Sequence, residues 1–226
     1  AREVFESYLQ EIMNPSTYLN RSDSQGWVES TIGDACYLMT GGTPSKSKQE
    51  YFENGNINWL VSGDIHKKVI YDCEGRISEL GLKNSNARYL PFNSVLIALN
   101  GQGKTRGTVA MLRTKATCNQ SLVSIYPKDV NSVLPEFIYA NLDGRYDEIR
   151  KITSDSGNDR RGLNMPIIRQ IKFSYPKSIK EQKTIIKQTS ELFAETKKLE
   201  SIYQKKLDKL EELKKSILHK AFAGEL

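Results

Sequence analysis

Gly101-Gln102-Gly103-Lys104-Thr105 follows an apolar run from Ser94 to Leu99, and a phosphate-binding loop also follows a strand and ends in Gly-Lys-Thr. Such a loop would cradle the phosphates of a nucleotide. The spacing excludes it, because the motif needs glycine five residues before Gly103 and Ala98 stands there. In addition, Thr108 to Leu112 reads as a strand where the phosphate-binding helix should begin. Asn14-Pro15-Ser16-Thr17 lacks the second proline and the aromatic residue of the Asn-Pro-Pro-Tyr type motif that holds a flipped base. A metal-dependent nuclease gathers several carboxylates with a lysine. Asp72-Cys73-Glu74 is one acidic pair, and Gly75-Arg76 continues it as a turn. His66 and His219 are isolated, with no triad or metal partner in view. Cys36, Cys73 and Cys118 are odd in number and far apart, which fits neither a disulfide framework nor a zinc site. They are expected to be reduced and buried. No catalytic residue, metal ligand or bound cofactor is therefore expected in this chain.

The remaining polar groups suit recognition. The formal charge is +6 and the isoelectric point about 9.1, a balance that favours an acidic partner such as nucleic acid. Much of the excess lies at the end: from Lys177 onward there are 12 lysines against 8 acidic residues. Base readout needs side chains with paired donors or acceptors beside cations that hold phosphates, and three segments offer them. Thr43 to Lys48 mixes hydroxyls with Lys46 and Lys48; Gln102 to Arg106 is a flexible turn; Asn158 to Arg161 places Arg160 and Arg161 between Gly157 and Gly162. Lys104 and Arg106 are candidates for phosphate or guanine, Gln102 for a base edge, and Thr105, Lys46, Lys48, Arg160 and Arg161 complete the DNA-binding set. Polar glycine-rich loops are also ordinary surface turns, and Asn119-Gln120 can instead brace the backbone. Tyr51, Phe52 and Trp59 are read as core rather than as stacking platforms.

The elements that position these groups divide the chain into three. Residues 1–22 read as the tail of a helix and a linker: Val4, Phe5, Tyr8, Leu9 and Ile12 share a face, and Asn14-Pro15-Ser16 stops it. Residues 23–176 are short apolar runs broken by Gly, Pro and Asn, the signature of a strand-rich domain. Strands are expected at Ile57 to Val61, Ser94 to Leu99, Thr108 to Leu112, Leu122 to Tyr126 and Ile171 to Tyr175. Thr31-Ile32-Gly33-Asp34 fits a capping box, and Pro135 opens a helix carrying Ile138, Leu142 and Ile149. Residues 177–226 form one long helix, since Lys180 to Phe222 contains neither Gly nor Pro. Its heptads place Leu192, Leu199, Tyr203, Leu210, Leu213 and Ile217 at a and d positions, interrupted by Thr189, Thr196, Lys206 and Lys220. The alternative is an amphipathic helix packed on its own domain. The fold class is α+β. Nothing approaches the length of a membrane span, and the polar start lacks a signal-peptide core, so a cytoplasmic protein without membrane association is expected.

In chain order, Trp27-Val28-Glu29-Ser30-Thr31-Ile32-Gly33-Asp34, Gly41-Gly42-Thr43-Pro44-Ser45, Ile57-Asn58-Trp59-Leu60 with Ser62-Gly63-Asp64-Ile65, Leu90-Pro91, the glycine-rich turn ending at Gly107, Asn119-Gln120-Ser121, Arg161-Gly162-Leu163, Pro176 and Glu181-Gln182 resemble the specificity subunits of type I restriction-modification systems. Leu213 to Leu226 resembles the family's helix terminus, with Gly224 as the stop. Members usually carry two target-recognition domains separated by paired helices. This chain has one, so the resemblance implies a natural half-size subunit or the C-terminal half of a longer one, with Ala1 to Ile12 ending a central helix. It further implies that the domain reads one half of a bipartite site in double-stranded DNA, while the long helix, in an antiparallel coiled coil, fixes the gap to the other half. Modification subunits would dock on it and methylate adenine with S-adenosylmethionine; a restriction subunit using ATP and magnesium would join through them. A natural half subunit would pair as a homodimer through its long helices. Against this stand a coiled-coil adaptor without DNA binding and a nuclease whose site is not apparent.

Overall fold

The computed structural model describes residue 7 and residues 26–101, 103–154 and 162–223. The expected N-terminal helix, Gln102, Arg160, Arg161 and Gly224 lie outside the described residues, apart from the helical Ser7.

A five-stranded sheet forms the centre of the domain. It is built from β2 (Cys36–Thr40), β4 (Val69–Ile70), β6 (Val95–Ala98), β7 (Val109–Leu112) and β9 (Leu122–Pro127), in the order β2-β9-β6-β7-β4. Its strands are antiparallel except for β4, which runs parallel to β7 with Val69 opposite Met111. Side chains alternate across a strand, and both faces of this sheet are buried. Val95, Ile97, Val109, Met111, Val123 and Ile125 point into one core with the helical residues Phe137, Ile138, Leu142, Ile149 and Ile168. Leu96, Ala98, Ala110, Leu112 and Leu122 point into a second core with Leu60, Ile65, Ala116 and Cys118. Burial on both sides explains why the sequence shows continuous apolar runs here instead of alternation.

The second core is closed by a three-stranded sheet, β5-β3-β8, made of β3 (Ile57–Leu60), β5 (Arg76–Ile77) and β8 (Ala116–Cys118). β1 (Trp27–Thr31) and β10 (Lys172–Pro176) pair antiparallel and tie the two ends of the domain together. All five expected strands are present, trimmed by a residue or so; β10 starts after Ile171. β1, β2, β4, β5 and β8 are not apparent from the sequence alone.

Half of the expected capping box is present: Thr31 Oγ1 accepts from the Asp34 amide at 3.1 Å and caps helix α1 (Ile32–Ala35), while the Asp34 carboxylate accepts from the Thr31 hydroxyl at 2.7 Å. After α2 (Glu79–Lys83), the helix expected from Pro135 divides in two, α3 (Pro135–Gly144) and α4 (Tyr146–Ser154), so that Ile149 sits on the second. Gly144 is the last residue of the first, and Arg145 caps it. Arg145 then fixes the break: its buried guanidinium donates to Asn141 Oδ1 at 3.2 Å and the Lys172 carbonyl at 2.6 Å, and pairs with Glu148 at 2.6 Å. A short α5 (Met165–Gln170) precedes β10.

The last element, α6 (Ile179–Phe222), is 44 residues long, or about 66 Å at 1.5 Å per residue. Gln182 attaches it to the domain. Fully buried, its amide accepts from the Leu134 N–H at 2.9 Å and donates to the Ser132 and Pro176 carbonyls, each at 2.8 Å. Beyond that anchor, Leu192 is half-buried, while Leu199, Tyr203, Leu210, Leu213 and Ile217 stand exposed. Thr189 is buried instead, its hydroxyl satisfied 3.0 Å from the Ile185 carbonyl. No helix among the described residues is long and apolar enough to cross a membrane.

Candidate nucleic-acid interface

Sheet topology gathers four loops at one end of the domain. β2, β6, β3 and β8 finish there and β9, β7 and β4 begin there, as the registers Thr40 to Val123, Ala98 to Leu122, Val69 to Met111 and Leu60 to Cys118 require. The loops are residues 41–48, 61–68, 99–108 and 119–121. Main-chain bonds join them: the Asn119 amide donates to the Leu60 carbonyl at 2.9 Å, the Leu99 amide to Ser121 at 2.9 Å, and the Leu163 amide to Leu99 at 3.0 Å. Gly162 and Leu163, the described neighbours of Arg161, therefore belong to this end as well.

The first loop is seated by close approach of backbone to backbone. A Cβ on Gly41 would stand 1.8 Å from the Cys118 carbonyl oxygen, and one on Gly42 would stand 2.7 Å from Asn86 Cβ. Only glycine permits such contact. Trp59 Nε1 donates to the Gly42 carbonyl at 3.0 Å, and Thr43 Oγ1 donates to Gln120 Oε1 at 2.6 Å. From this support Lys46 and Lys48 project exposed; Lys48 leans over the Tyr51 ring, 5.1 Å from its centroid. Tyr51 is buried, and Phe52 packs edge-on against Trp59 with centroids 6.0 Å apart. These aromatics are core, as their reading from the sequence had them.

The glycine-rich turn is held at several of its described residues. Gly101, Gly103 and Gly107 take positive φ of 136°, 60° and 81°, the left-handed region that glycine enters at little cost. α4 braces the turn from outside: Tyr146 Oη donates to the Lys104 carbonyl at 3.1 Å, and the Arg150 guanidinium donates to the Gly103 carbonyl. Thr108 also donates its hydroxyl to the Lys104 carbonyl, and His66 Nε2 lies 3.0 Å from Thr105 Oγ1. The backbone of Lys104 is thus pinned while its side chain is exposed. Thr105 is half-buried, and Arg106, only 8% exposed, belongs to the turn's own packing.

Lys46, Lys48, Lys104 and Thr105 are therefore brought together at one end, with Arg106 beneath them. Two further cations share the end that the sequence reading passed over. Lys67 pairs with Asp64 at 2.9 Å, which holds its ammonium above the usual lysine range, and Lys68 pairs with Asp143 at 2.6 Å. Asn119 braces the backbone, its Oδ1 accepting from the Ser121 amide at 3.0 Å. The bracing roles of Tyr146 and Arg150 carry no signal in the sequence beyond their spacing of four on one helix.

Among the described residues no group of three or more His, Cys, Asp or Glu side chains is placed to hold a metal. All three cysteines are free and buried. Burial pushes the Cys36 and Cys118 thiols up to about 12 and raises Cys73 as well, so none is a thiolate near neutrality. Exposed ammonium groups on a rigid, water-facing end can neutralise phosphates, and the amides and hydroxyls among them can read base edges.

Comparison with known proteins gives a consistent picture. Residues 24–212 match the type I restriction modification DNA specificity domain. The chain is 28% identical over 167 residues to the EcoR124I/EcoR124II specificity subunit of Escherichia coli, covering 73% of this chain and 41% of that protein. It is 26% identical over 210 residues to the HindI specificity subunit of Haemophilus influenzae, covering 89% and 42%. The match thus spans about two fifths of each relative's length. The fold is that of the HsdS subunit from Thermoanaerobacter tengcongensis, with a TM-score of 0.66 at 17% identity over all of this chain and 51% of that one.

Proposed function

The chain belongs to the type I restriction modification DNA specificity domain family, and from that premise we propose that the loop end of its central sheet reads one half of a bipartite site in double-stranded DNA. The observation that carries this reading is the convergence there of Lys46, Lys48 and Lys104, exposed and, among the described residues, without an ion pair. Those lysines contact phosphates and set the domain's register on the duplex. Amides and hydroxyls between them supply base contacts.

The long helix is the ruler of this reading. Its exposed stripe, Leu199, Tyr203, Leu210, Leu213 and Ile217, packs against a second helix of the same kind in an antiparallel coiled coil, and modification subunits dock alongside. If the second helix comes from another copy, the complex is a two-fold homodimer and its target a palindromic bipartite sequence. The chain performs no catalysis. S-adenosylmethionine, ATP and magnesium serve the modification and restriction subunits, and the whole complex acts in the cytoplasm.

The test is to sequence the adenine methylome of cells carrying this chain with the modification subunit of its own system, against cells lacking the chain. A new bipartite adenine-methylated motif is expected. Stable expression of both proteins with no new motif would overturn the reading.

A further inference from the structure

Beside the loop of residues 41–48 lies a shallow polar depression lined by Thr43, Ser45, Lys83, Asn84, Ser85 and Asn86. Most of its polar side chains are committed elsewhere. Thr43 donates to Gln120, and Ser45 and Ser47 hold each other at 2.8 Å. The Asn84 amide donates to the Leu80 carbonyl at 2.9 Å, completing the end of α2, and Ser85 donates to the Gly81 carbonyl at 2.7 Å while accepting from the Ala87 amide at 3.1 Å. Two groups remain. Lys83 and Asn86 are exposed, and neither side chain has a hydrogen bond or ion pair among the described residues.

The ground under these two is rigid. Ser78 caps α2, accepting from the Gly81 amide at 3.1 Å, and its own hydroxyl donates to the Glu50 carbonyl at 2.7 Å. A Cβ on Gly81 would meet the Tyr51 carbonyl at 2.5 Å, so α2 sits flush on the turn that ends the 41–48 loop. Asn86 is pressed against Gly42 in the same way, and Gly42 leads into Thr43 and thence to Gln120. α2 and the turn after it therefore present one uncommitted primary amide and one ammonium in a single depression, along the edge of the loops already described. The depression is open to solvent, with no enclosed slot for a flipped base or a small ligand. An asparagine held on such a surface can satisfy the N6 and N7 groups of adenine together, and a lysine beside it suits the neighbouring phosphate.

We propose that Asn86 is a specificity-determining residue that reads a base edge, adenine by its donor and acceptor pattern, and that Lys83 holds the flanking phosphate. The inference rests on the DNA-reading role proposed above and assigns part of that role to α2 and the turn after it, outside the glycine-rich turn and the lysine loop.

The experiment is selection from a random duplex library by the full chain, comparing the native protein with Asn86→Ala, Asn86→Asp and Lys83→Ala. Both side chains are exposed, so the fold is retained, and circular dichroism checks it. Native protein should enrich a motif. Asn86→Ala should flatten one position of that motif, with discrimination there falling by roughly 5- to 150-fold, the range for one bidentate base contact. Asn86→Asp, which can only accept, should move that position away from adenine and toward cytosine. Lys83→Ala should weaken binding evenly over all sequences. If the native chain enriches a motif that both Asn86 variants reproduce with unchanged discrimination, the assignment of Asn86 is wrong while the DNA-reading role stands. If the native chain enriches nothing, the role itself fails and the assignment falls with it.

Discussion

Replacing Lys46, Lys48 and Lys104 together by alanine should change how binding depends on salt more than it changes anything else. All three side chains are exposed and free of ion pairs among the described residues, so their removal breaks no internal contact beyond the Lys48 contact with Tyr51. Each phosphate neutralised on duplex DNA releases counterions and adds about 0.9 to the slope of log K against log salt. Three contacts predict a slope shallower by about 2.7. At about 0.1 M salt this corresponds to roughly 500-fold weaker binding, or about 3.7 kcal/mol. The assay is fluorescence anisotropy with a labelled duplex across a salt series, with thermal unfolding of the same samples to show that the domain is intact. Lys128→Ala serves as a control, since Lys128 lies at the far end of β9, where it donates to the Gly33 carbonyl at 3.0 Å. A triple variant whose salt line runs parallel to that of the native protein would show that these lysines face water in the complex and that the DNA lies elsewhere.

Three further outcomes follow from the packing. Gln182→Leu leaves the Leu134 amide and the Ser132 and Pro176 carbonyls without their partner; a loss of about 3 kcal/mol is expected, read by urea denaturation, together with earlier proteolysis at the start of α6. Gly41→Ala drives a methyl group into the Cys118 carbonyl and should cost about 2–3 kcal/mol, seen as a lowered midpoint and weakened DNA binding. Alkaline pH should destabilise the domain. The folded chain keeps Cys36 and Cys118 protonated to about 12, against an ordinary value of 9.0, so it binds more protons than the unfolded chain between those limits. Stability is retained below about 9 and falls as pH rises, by about 1.4 kcal/mol per thiol at about pH 10. Urea midpoints of native protein and Cys118→Ala, compared between neutral and alkaline pH, should diverge accordingly; equal pH dependence in the two would refute it.

The parts of the fold legible in the sequence were those where one local rule dominates. The runs at Val95, Val109 and Leu122 announced themselves because both faces of their strands are buried. Thr31 and Asp34 announced a helix start, and the absence of Gly and Pro after Lys180 announced α6. β4 and β5 are only two residues long, and β8 three, so their pairing depends on distant partners that no window on the chain reveals. The break between α3 and α4 was hidden for a similar reason, because Arg145 is fixed by Lys172, 27 residues away. At the candidate site, lysines in glycine-rich loops could be named. The rigidity beneath them could not, since it comes from Tyr146, Arg150 and His66.

That rigidity bears on how such a domain can acquire new targets. Because helices cover one face of the central sheet and the small sheet covers the other, neither face of the sheet is open to a ligand among the described residues, whereas its loops are. The side chains proposed to meet DNA, Lys46, Lys83, Asn86 and Lys104, are exposed on backbone that is held by glycine contacts and main-chain acceptors. Exchanging them should leave those supports intact, so under the proposed function the choice of sequence read would be uncoupled from the stability of the fold. Arg106 marks the boundary of this freedom: it lies in the same turn but is only 8% exposed, so its substitution should disturb the packing of the turn as well as any contact it makes.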